Sequence, residues 1–64
     1  MYRTLNDQLE EFVDDCSLSD VLIALSEVCS WRATDSHDDP ARREWQKCAT
    51  HVEAAASVAY RVGL

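Results

Sequence analysis

One glycine and one proline in sixty-four residues leave little turn chemistry. A barrel or sandwich needs many short strands joined by such turns, so these folds are excluded, and a few long helices are favoured. No apolar run approaches the roughly 20 residues of a membrane span. The opening, MYRTLNDQLEEF, lacks a basic segment followed by an apolar one, so no secretory signal is expected. Cysteine is present three times, at Cys16, Cys29 and Cys48, an odd count without a CxxC pair. Reduced thiols in a cytoplasmic protein fit that pattern better than a disulfide framework. A lone glycine cannot build a phosphate-cradling loop either.

What the chain has in excess is acid, and it is unevenly placed. The first forty residues hold ten acids against two bases, Arg3 and Arg32, a net −8. From Ala41 onward four bases face two acids, a net +2, for a total of −6. Charge placement bears on partners more than on fold. The 47% apolar content argues for a folded domain despite that charge. A chain this short buries only about 60% of its unfolded surface, and such scaffolds gain further stability from disulfides, metals or oligomerisation.

Spacing places three helices in one domain, residues 1–64. The first is expected over 4–14. Thr4 and Asp7 have capping-box spacing, and Leu5, Leu9, Phe12 and Cys16 fall on one side with Val13 at its edge. Asp7, Glu10, Glu11 and Asp14 fall on the other. Asp14 and Asp15 meet the negative end of the helix dipole, which stops the helix there. A second helix is expected over 18–33, capped by Ser17 with Asp20 or by Ser19. Leu18, Val21, Leu22, Leu25, Val28 and Cys29 form its core-facing stripe, and Ile23 and Trp31 lie off it. TDSHDD, residues 34–39, is the connection. Asp39 is expected as the cap of a third helix over 40–62, with Pro40 first and Gly63 as its stop. Ala41, Trp45, Cys48, Ala49, Val52, Ala55, Ala56 and Ala59 share one arc of it. Alanines at contact positions let helices approach closely. The expected fold is therefore all-α: an antiparallel hairpin of the second and third helices, with a short N-terminal helix folding across it or reaching a second subunit. Its core is thin, and a homodimer or higher oligomer is expected, with Ala55, Ala56 and Ala59 or the Ile23/Trp31 face in the contact.

Few residues carry chemistry. The serines are accounted for by caps, loops and solvent faces, neither histidine sits in a motif, and a water-excluding pocket is hard to build from three helices. No catalysis and no cofactor are expected. Cys48 and His51, three apart on one helix, with Cys29 facing them, are weak zinc candidates, since zinc sites normally pair ligands twice. Asp35, His37, Asp38 and Asp39 lack the glycine and closing Glu of a calcium loop. Arg43, Lys47 and Arg61 share a helix face, but a pI near 4.5 argues against direct nucleic-acid binding.

The acidic side of the first helix remains. Glu10, Glu11, Asp14 and Asp15 are the residues expected to meet a basic protein surface, with Ile23 and Trp31 as an apolar anchor. Carboxylates in rows on a helix can stand in for phosphates. Size and acidity resemble those of phage- or plasmid-borne inhibitors of host systems, including anti-CRISPR and DNA-mimic proteins; the resemblance is one of composition and carries no motif. The expected function is a non-catalytic interaction protein that inhibits or regulates by occlusion. The alternatives are a self-assembling structural helical protein and a small Cys/His metal-binding protein.

Overall fold

The computed structural model describes residues 4–64, and all the regular structure among them is helical. Helix α1 spans Leu5–Asp15, α2 Leu18–Asp35 and α3 Asp39–Arg61. Arg3, one of the two N-terminal bases, lies outside the described residues.

Each terminus has a local cause. At α1 the Asp7 N–H donates to Thr4 Oγ1 at 3.1 Å, and the Thr4 N–H reaches Asp7 Oδ2 at 3.5 Å, so aspartate completes the box in place of the usual glutamate. At α2 the Asp20 N–H donates to Ser17 Oγ, 3.1 Å. The start of α3 differs from expectation. Asp38, not Asp39, is the N-cap, without a side-chain capping bond, and Pro40 sits one position further in. The first four N–H groups of a helix have no intrahelical partner, so a proline is tolerated at either position. The Arg42 guanidinium holds the junction instead: it donates to the Ser36 carbonyl at 2.9 Å and lies 3.7 Å from the Asp39 carboxylate.

The end of α3 closes on Gly63 at φ +80, a left-handed conformation in which a Cβ is strained. The Leu64 N–H donates to the Ala59 carbonyl at 2.8 Å and the Gly63 N–H to Tyr60 at 3.2 Å, a Schellman pair. The Leu64 carbonyl then accepts from the Ser19 N–H, 3.0 Å, one of the donors that α2 leaves orphaned in its first turn. The open end of the hairpin is thus tied by backbone.

The hairpin of α2 and α3 holds the core, and the core is made of small residues. Buried apolar side chains are Cys29, Ala33, Ala49, Ala56 and Ala59; Ser19 is the buried polar one. On α2 the seam reads Ser19, Leu22, Ser26, Cys29, Ala33; on α3 it reads Trp45, Ala49, Val52, Ala56, Ala59. Both alternate steps of three and four, the heptad spacing of a coiled coil. This corrects the stripe expected for α2. Leu25 and Val28 are exposed, and the contact is turned toward the serines. Small side chains permit the closer approach, and the hydroxyls are satisfied locally. Ser26 Oγ donates to the Ile23 carbonyl at 2.7 Å, and Ser17 and Ser19 hydroxyls lie 3.1 Å apart.

The molecule is a plate, 36 × 35 × 12 Å. The length of α3, about 1.5 Å per residue, accounts for one long edge. Two helix axes about 8–10 Å apart cannot fill the other, so α1 projects sideways from the open end. It touches α2 lightly and α3 not at all among the described residues. The radius of gyration, 13.5 Å, exceeds the roughly 11 Å of a compact domain of this length.

Candidate functional site

Helix α1 carries the acidic candidates, and its sequence explains why they are displayed. Eleven residues with apolar side chains at 5, 9, 12 and 13 make an amphipathic helix, yet none of its residues is buried. Val13 is half-buried; Leu5, Leu9 and Phe12 are exposed, Phe12 by 56%. Glu10, Glu11, Asp14 and Asp15 are exposed on the other side. Both faces of α1 therefore carry exposed side chains, although Phe12 and Cys16 also line a crevice with Asp20, Val21 and Ala24 of α2. Its last turn holds Asp14 and Asp15 and no base, against the helix dipole. Folding of α1 alone gives no reason for that placement.

Ile23 and Trp31, expected as an apolar anchor, are both exposed but do not share one groove. Ile23 lies in a groove with Glu53, Ala56, Ser57, Tyr60 and Arg61, on one face of the hairpin. Trp31 is 62% exposed and does not line that groove. At 100° per residue it points away from α3. The two residues are exposed, as expected of an anchor, but belong to different surfaces.

The alanine stripe divides as well. Ala56 and Ala59 are each 3% exposed within a single chain, because they pack on α2 of the same molecule. The stripe offered for a subunit contact is used inside the hairpin, which leaves only Ala55 exposed.

The zinc candidates do not converge. Cys29 is buried in the seam, while Cys48 and His51 are exposed. Among the described residues no group of three His, Cys, Asp or Glu side chains could hold a metal ion. Two bases of α3 pair within their own helix: Lys47 Nζ is 3.3 Å from Glu44 Oε1, and Arg42 lies 3.7 Å from the Asp39 carboxylate. Such exposed pairs contribute well under about 1 kcal/mol.

Two features were missed in the sequence. The first is the Ser19–Ser26–Ala33 repeat on α2, passed over because serine does not count as apolar; its seven-residue spacing was the available signal. The second is the exposure of Leu25 and Val28, which the spacing places on the core-facing stripe. No helix of the described residues is long and apolar enough to cross a membrane. Comparison with protein-family models, curated proteins and solved structures found no match.

Proposed function

We propose that this chain is a non-catalytic helical interaction protein of the cytoplasm, which regulates or inhibits a protein partner by covering its basic surface. The observation that carries the reading is the position of α1. A capped amphipathic helix stands off the hairpin with Glu10, Glu11, Asp14 and Asp15 on one side and Leu5, Leu9 and Phe12 on the other, all exposed. Acids along one side of a helix steer it onto a basic groove, and the apolar side chains supply contact once it arrives. A nucleic-acid-binding protein, whose groove is built for phosphates, fits as the target class, and occlusion of that groove is the mechanism. The uncompensated Asp14 and Asp15 at the end of α1 are explained if a partner supplies the missing positive charge.

The test is affinity capture with the wild-type protein beside the E10K/E11K/D14K variant, followed by binding measurements on whatever is captured. A partner is expected that is lost on charge reversal, retained when Glu44 and Glu53 of α3 are reversed instead, and weakened steeply by salt. A captured partner whose affinity ignores the α1 reversal contradicts the mechanism. A second reading, a self-assembling structural protein, is favoured by the large apolar side chains that α2 and α3 leave exposed. The two separate on whether the acidic band stays accessible in the assembly.

A further inference from the structure

We infer that α1 is a hinged arm that closes onto the outer edge of α2 in its own chain, seating Phe12 on Val21, Leu9 on Ala24 and Leu5 on Val28. The side of α2 that meets α3 runs through Ser19, Leu22, Ser26, Cys29 and Ala33. At 100° per residue, Val21, Ala24, Val28 and Trp31 point the opposite way. They form a second apolar stripe, with steps of three, four and three residues. Val21 is half-buried and the other three are exposed. On α1, Leu5, Leu9, Phe12 and Cys16 are spaced by four, three and four residues, and none is buried.

Register joins the two stripes. In an antiparallel pair, the numbers of facing residues add to a constant total. Phe12 with Val21, Leu9 with Ala24 and Leu5 with Val28 all give the same total, so one register seats three apolar layers. The link demands that register too, because Cys16 and Ser17, the two residues between α1 and α2, share the same total. Two residues are enough to join antiparallel helices. The innermost layer is already in place: Phe12 and Cys16 line one crevice with Asp20, Val21 and Ala24. Leu5 and Val28 each lie about 10 Å further along their helices from that layer, and closing the arm brings them together.

Charge permits the closure. Asp7, Glu10, Glu11 and Asp14 fall on the side of α1 away from its apolar stripe, so none of these carboxylates is carried into the contact. Asp15 and Asp20 come to one side of the closed corner and repel. Both are exposed, and a solvated pair of charges weighs little against three apolar layers. An isolated helix of eleven residues is marginal in water, so α1 needs cover to persist. A short link gives its own α2 an effective concentration far above that of any second copy at micromolar concentration. Closure withdraws Leu5, Leu9 and Phe12 and leaves the acids outside. It does not rest on the proposed partner.

The test is NMR of the full chain, with labelled and unlabelled protein mixed so that contacts within a chain are told from contacts between chains. Nuclear Overhauser contacts from Leu5 to Val28 and from Leu9 to Ala24 are expected within one chain. The α1 amides should exchange at least about 10-fold more slowly than in an unfolded peptide. Val28→Asp, on the outer edge of α2, should abolish the Leu9–Ala24 contact and the α1 protection, while the amides of Ala49 and Ala56 in the seam stay slow. Val58→Asp on α3 should leave α1 unchanged. The wild-type contacts need no variant to fold. Absence of the Leu5–Val28 contact overturns the inference. So does that contact arising only between chains, or α1 protection that ignores Val28→Asp in a folded hairpin.

Discussion

Helix α1 and helix α2 show opposite relations between pattern and packing. The apolar and acidic residues of α1 separate cleanly, and nothing in α1 is buried. In α2 apolar residues run almost all the way round, with Ile23, Leu25, Val28 and Trp31 on different sides, and yet α2 supplies Ser19, Cys29 and Ala33 to the core. Amphipathic spacing locates a helix and says which side avoids water. It does not say what covers that side. In this chain the contact that forms is chosen by side-chain size, where a heptad of serine, cysteine and alanine meets alanine. The large side chains are left to the outside, which is the reverse of a usual small core.

The sharpest way to break the comparison is to enlarge the seam. Ala56→Leu is expected to cost on the order of 2 kcal/mol through overpacking. Ala54→Leu, on the exposed back of the same helix, should change stability by less than about 0.5 kcal/mol. Chemical denaturation followed by circular dichroism measures both at constant protein concentration. If the two substitutions cost the same, the seam is not where the chain holds together.

Gly63→Ala comes next. A Cβ at φ +80 is expected to cost about 1 kcal/mol, because no atom lies near enough to clash and only backbone strain acts. The Ser19–Leu64 bond shares the effect, and amide exchange at Ser19 should report it. Thr4→Ala removes one half of the capping box and should cost about 1 kcal/mol of α1 helicity. Because an isolated helix of eleven residues is marginal in water, this loss should appear as fraying of α1, with the denaturation midpoint of the hairpin unmoved. Phe12→Ala should have the smallest effect on the hairpin, under about 0.5 kcal/mol, since Phe12 is already mostly exposed.

Much of the fold is legible in the sequence. The Thr4–Asp7 pair, the Ser17 cap and the Gly63 stop are short-range signals, and each forms as its spacing implies. The start of α3 was displaced by one residue because proline suits more than one early position. The hairpin was legible from the alanines of α3. The face of α2 that meets them was not, because Ser19 and Ser26 reach the seam by bonding to their own neighbourhood, a choice that hydropathy does not record. Among the site residues, Glu10, Glu11, Asp14 and Asp15 are displayed as their helix positions imply. Ala56 and Ala59 pack inside the hairpin, and the sequence alone does not distinguish this from a subunit contact, because an alanine stripe looks the same whether its partner is in the same chain or in another.

The central claim is that small residues, and not the large apolar side chains, close the hairpin. The most direct measurement is chemical denaturation, at one protein concentration, of Ala49→Leu in the seam beside Leu25→Ala outside it. Ala49→Leu is expected to cost on the order of 2 kcal/mol through overpacking, and Leu25→Ala under about 1 kcal/mol. A Leu25→Ala loss as large as that of Ala49→Leu would mean that the large side chains hold the hairpin together, and would contradict the claim.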